Sequence, residues 1–278
     1  MTRISSLPTG RIEATFARLK AEERAGLAAF LTVGYPDLEA TLRLASALVE
    51  GGASMIELGI PFSDPLADGA TVQRASFQAL RQGVTPALCL DTVARLRATG
   101  LEAPLILMGY YNPILAYGIE PFVRDAAAAG TDGLIVIDLP PEESAPLREA
   151  CVAQGLRLVY LLAPTSTDER IEMVAGLASG FIYCVSLTGT TGARQELPQG
   201  LPTFIARVRR HTPLPLAVGF GISNAKHFRA VARIAEAAVV GSAIIDEIDR
   251  SDPSQQAARV REYVEVLTGR RRAATDSR

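Results

Sequence analysis

The sequence is poor in the residues that most often carry covalent or metal chemistry. It has two histidines, three cysteines and two lysines among its 278 residues. Lys20 and Lys226 fall in segments of helical period, away from predicted strand ends, which disfavours Schiff-base chemistry. His211 and His227 form no ligand pair, and we expect helix-packing or surface histidines and no metal site. The cysteines are odd in number and have no CxxC spacing, so no disulfide framework is expected.

The sequence also lacks strong charge and long apolar runs. Its net charge is −2 and its arginines are scattered, so no nucleic-acid partner is expected. No run of 18 apolar residues and no apolar leader occur, so we expect neither a membrane span nor export. With unpaired cysteines, this predicts a cytoplasmic protein. The one basic run, 270–272, lies in a polar end, and we expect about 270–278 to be a disordered tail.

What the sequence does contain is a regular alternation of short apolar runs with longer segments of helical period. The runs show no in–out alternation, which is typical of parallel strands covered on both faces. Eight strands are predicted, at 27–33, 55–59, 105–109, 133–138, 157–162, 181–185, 216–219 and 238–240. No linker divides the chain, so residues 1–278 are predicted to form one (β/α)8 TIM-barrel catalytic domain. The alternative is an open doubly wound sheet, but the GxGxxG typical of that fold is absent after the first strand.

Helical segments follow the strands, and several begin with Asp, Thr or Pro and end near Gly. They are predicted at 37–50, 71–82, 85–97, 121–129, 141–154, 168–177, 201–210 and 225–233. Segment 11–20 is predicted as an extra N-terminal helix, and 255–267 as the last helix of the outer ring.

Acidic residues occur where the predicted strands end, which is where barrels of this kind carry their active sites. Glu57 lies within the second predicted strand, in the run MIEL at 55–58, Asp68 follows in the next loop, and Asp138 ends the fourth predicted strand. A carboxyl within an apolar strand keeps its proton to higher pH, which suits general acid–base chemistry. The alternative for each is an ion pair or a helix cap. Tyr183, inside the sixth strand, is either catalytic or a core tyrosine with one satisfied hydroxyl.

Glycine-rich segments follow the sixth, seventh and eighth predicted strands. Gly219 and Gly221 come after the seventh strand, and Gly241 with Ser242 opens a helical stretch after the eighth. Glycines let the backbone approach an anion, and the first amides of a helix donate hydrogen bonds to it. Barrels bind phosphate at this place, so a small phosphorylated substrate is predicted. Segment 188–194, after the sixth strand, is a candidate lid.

With these residues placed, the sequence resembles the tryptophan synthase α-subunit family from about residue 11 to 267. Six motifs carry the resemblance: ELGIPFSDPLADG at 57–69, MGYYNP at 108–113, DLP at 138–140, TGTTG at 188–192, GFGIS at 219–223 and GSA at 241–243. One departure is Tyr35, which stands where the family commonly has an acidic residue.

The resemblance implies a lyase of tryptophan biosynthesis that cleaves indole-3-glycerol phosphate to indole and glyceraldehyde 3-phosphate. It implies catalytic roles for Glu57 and Asp68 and places Tyr183 beside the reacting carbons. It also implies that the phosphate is bound by Gly192, Gly221, Gly241 and Ser242. It implies an indole pocket lined by Phe30, Met108, Ile135 and Phe220, and it places Thr191 in a lid.

The resemblance further implies a partner. The chain itself would hold no cofactor and no metal, while a β subunit carrying pyridoxal phosphate would complete an αββα heterotetramer and receive the indole. The alternatives are a free-standing lyase that releases indole, a neighbouring barrel such as indole-3-glycerol phosphate synthase or a phosphoribosyl isomerase, and a barrel that binds without catalysis. The synthase would need strand-end lysines, which this sequence lacks.

Overall fold

Eight parallel strands form a closed barrel, in which each strand pairs with its neighbours in chain order and the last closes on the first. A computed structural model describes residues 9–185, 198–219 and 221–271. The strands are β1 (Gly26–Thr32), β2 (Met55–Gly59), β3 (Leu105–Gly109), β4 (Gly133–Val136), β5 (Arg157–Leu162), β6 (Ile182–Val185), β7 (Leu216–Gly219) and β8 (Ala237–Val240). The predicted TIM-barrel fold, including its extra N-terminal helix, is confirmed.

Twelve α-helices surround or cap this barrel in the described part of the chain. They are α1 (Arg11–Ala21), α2 (Leu38–Gly51), α3 (Ala70–Arg81), α4 (Pro86–Ala98), α5 (Tyr111–Tyr117), α6 (Ile119–Ala129), α7 (Ala145–Gln154), α8 (Asp168–Leu177), α9 (Leu201–Arg209), α10 (Ala225–Ala232), α11 (Ser242–Arg250) and α12 (Gln256–Leu267). None of these helices combines the length and the apolar character needed to cross a membrane.

Local sequence explains where several helices begin. Asp37 caps α2 by accepting a hydrogen bond from the Ala40 amide at 2.7 Å. Thr85 caps α4 in the same way, and Pro86 follows it at the first helical position, where no amide partner is needed. Asn224 accepts from the amide of His227 at the start of α10. Each cap satisfies amides that the first turn of a helix leaves without partners.

The N-terminal end of the barrel is closed by α1. Its Phe16 ring packs on Phe181 with ring centroids 5.7 Å apart. Glu13 forms an ion pair with Arg157, whose side chain is buried at the start of β5. Because α1 covers this end, the open end of the barrel is the one at which the strands terminate and the predicted site residues lie.

Several predicted boundaries differ from the structure, most by one or two residues. β4 ends at Val136, two residues early, because the chain turns there to bring Asp138 Oδ1 within 2.7 Å of the Tyr111 amide. This contact caps α5, a helix that was not predicted. Segment 141–154 is divided into a 3-10 turn (Pro141–Glu143) and α7. Arg271, inside the predicted tail, pairs with Glu262 at 3.4 Å, and residues 272–278 lie outside the described part.

Candidate active site

A cavity of about 200 Å³ opens at the C-terminal ends of the strands. Strands β1, β2, β3, β6 and β8 contribute to its wall, together with the loops after β2 and β7 and the start of α11. Eight of the residues singled out from the sequence line it: Phe30, Glu57, Asp68, Met108, Tyr183, Gly221, Gly241 and Ser242. The barrel therefore brings together residues that lie up to 212 positions apart in the chain.

Glu57 lies in the middle of β2 and is completely buried. It sits between Phe30 of β1 and Ile106 of β3 in the sheet register. Neither of its carboxyl oxygens has a hydrogen-bond partner among the described residues. Burial raises the pKa of Glu57 to about 8, because an apolar surrounding disfavours the charged form. The side chain is therefore a neutral acid at pH 7.

Asp68 lies in the loop between β2 and α3 and is held by Tyr110. The Tyr110 hydroxyl donates to Asp68 Oδ2 at 3.2 Å and accepts from the Ala67 amide at 3.1 Å. The ring of Tyr110 also packs on Phe62, with ring centroids 5.1 Å apart. Burial raises the pKa of Asp68 to about 6, and the hydrogen bond from Tyr110 opposes this rise. Asp68 is therefore mainly an anion at pH 7.

Tyr183 of β6 lines the cavity and lies against the neighbouring strand β7. A Cβ atom on Gly219 would lie 2.0 Å from the Tyr183 hydroxyl oxygen, so the tyrosine occupies the space beside β7 that only glycine leaves open. Burial raises the pKa of Tyr183 well above its usual value, and the charges of Glu57 and Asp68 raise it further. The phenol thus stays protonated and lies within the electrostatic reach of both carboxyls.

The start of α11 and the loop after β7 also line the cavity, with backbone groups of the kind that suit an anion. Gly241 precedes the first turn of α11, and its carbonyl accepts from the Ile244 and Ile245 amides. The amides of Ser242 and Ala243 precede these bonded amides, at the positive end of the helix dipole. Gly221 follows β7 with φ of +80°, a conformation that favours glycine.

Known proteins identify the family of this chain. A family model described as "Tryptophan synthase alpha chain" matches residues 16–274. The tryptophan synthase alpha chain of Roseiflexus castenholzii is 56% identical over 259 residues, covering 93% of this chain and 99% of that protein. The chain belongs to the tryptophan synthase α-chain family. Its reaction is the cleavage of indole-3-glycerol phosphate to indole and glyceraldehyde 3-phosphate, a lyase step of tryptophan biosynthesis.

Solved structures and a longer relative agree with this family. Tryptophan synthase of Mycobacterium tuberculosis superposes with a TM-score of 0.87 at 35% identity, over 94% of this chain and 98% of that chain. The alpha subunit of Legionella pneumophila gives 0.85 at 37% identity, over 94% and 100%. The tryptophan synthase of Saccharomyces cerevisiae is 44% identical over 261 residues, which are 93% of this chain but 37% of that protein.

The remaining residues implied by the resemblance to tryptophan synthase α chains are placed differently. Ile135 is completely buried in β4 and is not among the residues that line the cavity. Thr191, Gly192 and Phe220 lie outside the described residues. Their assignments to the indole pocket, the phosphate site and the lid therefore stay predictions. Asp138, the third candidate carboxylate, acts as the cap of α5.

The structure also adds residues that the sequence did not single out. Tyr110 lies within a quoted motif, yet its contact with Asp68 spans 42 positions and left no local signal. Tyr263 of α12 lines the cavity and donates to the Ser223 carbonyl at 2.9 Å, which holds the loop after β7. Asp246 on α11 lines the cavity as well. These residues come from distant elements, so only the fold shows their proximity.

The cysteines are unsuited to nucleophilic chemistry in this site. All three are free and buried, and burial raises the pKa of Cys184 and Cys151 to about 12. A thiol with such a pKa does not supply a thiolate at neutral pH. Within the ranges that the structure describes, no three His, Cys, Asp or Glu side chains cluster as a metal site would require.

Proposed function

We propose that Glu57 is the proton shuttle of indole-3-glycerol phosphate cleavage and that Asp68 stabilises the positive charge on the indole ring. The observation that carries this proposal is the difference between two carboxyls in one cavity. Among the described residues Glu57 has no hydrogen-bond partner, and its pKa is about 8, whereas Asp68 has a hydrogen-bond donor and a pKa of about 6. Environments that separate two pKa values in this way assign an acid and an anion.

Cleavage of the carbon–carbon bond needs an electron sink, and indole supplies one. Glu57 donates its proton to C3 of the indole, which converts the ring to an indoleninium with a C2=N1 double bond. The resulting Glu57 carboxylate then accepts the proton of the adjacent glycerol hydroxyl. As the aldehyde carbonyl forms, the C3–C1′ bond breaks and its electron pair restores neutral indole. Glu57 ends protonated, so the proton balance closes.

Asp68 stabilises the positive charge that these proton transfers place on N1 of the indole. As an anion, it accepts a hydrogen bond from the indole N–H, and the bond strengthens when the ring becomes cationic. Such a preorganised charge in a site with little water contributes several kcal/mol, about 2–4 for single groups of this kind. Phe30 and Met108 line the same cavity and supply apolar surface for the ring. Tyr183, which lines the same cavity within electrostatic reach of both carboxyls, limits the space around the reacting carbons.

The phosphate binds at the start of α11. The Ser242 and Ala243 amides, the Ser242 hydroxyl and the open backbone of Gly221 supply donors without a charged side chain. We include Gly192 on the strength of the resemblance, together with Thr191 as part of a lid. Anchoring the phosphate fixes the glycerol carbons between Glu57 and the indole pocket, so that substrate binding also orients the reacting groups.

Glu57→Gln tests the shuttle. The amide keeps the shape but transfers no proton, so turnover falls by about 10²–10⁴-fold, the range of general acid–base catalysis. An indole-propanol phosphate analogue should still bind, as measured by calorimetry. Asp138→Asn is the matched control, since it replaces another carboxyl at the same end of the barrel while keeping the oxygen that caps α5. Turnover above about a tenth of wild type, a barrier change below roughly 1.4 kcal/mol, would refute the shuttle.

We further propose that the catalytic face docks on a β subunit that carries pyridoxal phosphate, in a cytoplasmic αββα assembly that passes indole between sites. Leu66 in the Asp68 loop is 87% exposed and Leu115 on α5 is 47% exposed, although both belong to the face around the cavity. Exposed apolar residues at one place indicate a protein contact. The yeast tryptophan synthase is far longer than the region it shares with this chain, which leaves room for a second catalytic unit.

Mixing the chain with its cognate β subunit tests the assembly by sedimentation and by the rate of indole formation. We expect a complex, and Leu66→Ser should weaken it. Phe77→Ser is the control, because Phe77 is 63% exposed but lies in the second half of α3, away from this face. No complex together with full activity of the isolated chain would instead establish a free-standing lyase. A complex that Leu66→Ser leaves intact would refute the docking face.

A further inference from the structure

Two helices begin at the two halves of the candidate site. Helix α3 starts at Ala70, two residues after Asp68, so the position of its first turn sets the position of that carboxylate. Helix α11 starts at Ser242, directly after the glycine of the phosphate site. The distance between these two helix starts therefore determines how far the phosphate lies from the group that faces the indole nitrogen.

Side chains link the two helices at successive turns. Thr71 Oγ1 lies 3.5 Å from Asp246 Oδ1, and Arg74 Nη2 forms an ion pair with Asp249 Oδ2. On both helices the linked residues are three positions apart, so they lie on one face of each helix. Both links advance in the same chain direction, and α3 and α11 therefore lie side by side and parallel. A shift of one helix along the other would break both contacts.

A third element fixes this pair to the barrel. The hydroxyl of Tyr35, in the turn after β1, accepts from Arg74 Nη1 at 3.0 Å and donates to Asp249 Oδ1. Tyr35 is only 5% exposed, so its ring has little freedom to move. The next residue, Pro36, accepts through its carbonyl from the side chain of Gln82, which directly follows α3, at 2.6 Å. The turn after β1 thus contacts both helices at once.

We propose that Tyr35, Arg74 and Asp249 form a positioning clamp through which the phosphate-binding end of α11 sets the position of Asp68. The clamp rests on the proposed roles of Asp68 and of the α11 start. None of its three residues is assigned a contact with substrate. They act by holding α3 and α11 at one spacing, so that a phosphate bound on α11 orders the first turn of α3.

Because the clamp is exposed to solvent, its effect on the position of Asp68 can be measured separately from its effect on the stability of the protein. The side chains of Arg74 and Asp249 are 50% and 25% exposed, and ion pairs this accessible contribute little to the free energy of unfolding. Solvent exposure does not weaken the effect of these two side chains on the position of Asp68 to the same extent, because small misplacements of a catalytic group lower turnover strongly. The clamp therefore predicts a catalytic defect without a matching loss of stability.

The experiment compares two substrates, indole-3-glycerol phosphate and its unphosphorylated form, in Arg74→Gln. In the wild type, phosphate should raise kcat as well as lower KM, because remote binding energy is used to orient the reacting groups. Arg74→Gln should lower kcat for the phosphorylated substrate about tenfold and leave kcat for the unphosphorylated one unchanged. The dissociation constant of glycerol 3-phosphate and the melting temperature should match wild type. A merely structural defect would lower kcat for both substrates alike.

Matched variants complete the test. Arg95→Gln removes an exposed ion pair with Glu39, between α4 and α2, and should leave kcat unchanged for both substrates. Asp249→Asn should reproduce Arg74→Gln, and the double variant should be no worse than either single one. The clamp is overturned if the wild type has the same kcat for both substrates. It is also overturned if the ratio of the two kcat values in Arg74→Gln equals that of the wild type. Loss of turnover in Glu57→Gln alongside that result shows that the proposed function stands without it.

Discussion

Replacing Tyr110 with phenylalanine removes one oxygen that holds the Asp68 loop. That oxygen accepts from the Ala67 amide at 3.1 Å and donates to Asp68 Oδ2 at 3.2 Å. Burial raises the pKa of Tyr110, so the hydroxyl stays a donor throughout the working pH range. Because this bond favours the ionised form of Asp68 against the effect of burial, its loss raises the pKa of Asp68 further.

The size of this effect follows from the contact. A hydrogen bond to a charged group contributes about 1.5–3 kcal/mol, and a pKa change of one corresponds to about 1.36 kcal/mol. The bond is long and Asp68 is half-buried, so the lower end applies, and its pKa moves from about 6 to about 7. At pH 6 the ionised fraction of Asp68 then falls from roughly one half to roughly one tenth, about a fivefold loss.

The assay is the pH dependence of kcat/KM for indole-3-glycerol phosphate. The wild-type profile is bell-shaped, because activity is lost as pH falls through the pKa of Asp68, about 6, and as it rises through that of Glu57, about 8. In Tyr110→Phe the acid limb moves to higher pH and the basic limb stays. Tyr111→Phe is the matched control, since the Tyr111 hydroxyl has no hydrogen bond to a described residue. An acid limb that stays in place in Tyr110→Phe refutes the role of the contact.

Three further variants address other parts of the site. Asp68→Asn should lower turnover strongly and change the affinity for glycerol 3-phosphate little, and an equal rate with an N-methylated substrate would contradict its contact with the indole nitrogen. Ser242→Asp should weaken an indole-propanol phosphate analogue by charge repulsion, measured by fluorescence against the unphosphorylated analogue; equal wild-type affinities for the two would contradict the phosphate site. Gly219→Ala should cost about 1–3 kcal/mol in urea unfolding through its overlap with Tyr183. The control is Gly176→Ala, where a Cβ meets nothing within 4 Å, and equal stability of both variants would contradict the overlap.

Much of the fold was predictable because buried parallel strands have a simple local pattern. β2, β3, β5 and β7 begin and end where the apolar runs do. α5 was missed because its cap, Asp138, lies 27 positions away and so gives no local start signal. α7 starts late because Pro146, in its first turn, follows a 3-10 turn that Ser144 closes with a hydrogen bond to the Pro141 carbonyl.

The site was predictable to the extent that strand ends carry it. Gly221 and Ser242, which line the cavity, were singled out because barrels place their chemistry after the strands, and Glu57 was singled out as a carboxyl within an apolar strand. The contacts that shift the pKa values of these groups and fix their positions were not predictable from the sequence. Arg74 and Asp249 are 175 positions apart, and each alone looks like an ordinary charged residue on a helix surface. Pairings of this kind depend on which helices the closed barrel makes neighbours.

The burial of Glu57 has a consequence for folding that differs in sign from that of most carboxyls. Its pKa is about 8 in the folded protein, against 4.5 when exposed, so between these values the folded state binds a proton that the unfolded state has released. Stability therefore falls as pH rises from about 4.5 to about 8, by at most about 3 kcal/mol at pH 7. Glu57→Gln has no such dependence, and its advantage in urea-unfolding free energy over wild type should grow across that range while its turnover is lost. A constant difference between pH 5 and pH 8 would show that Glu57 stays ionised in its pocket and would remove the basis for its role as an acid.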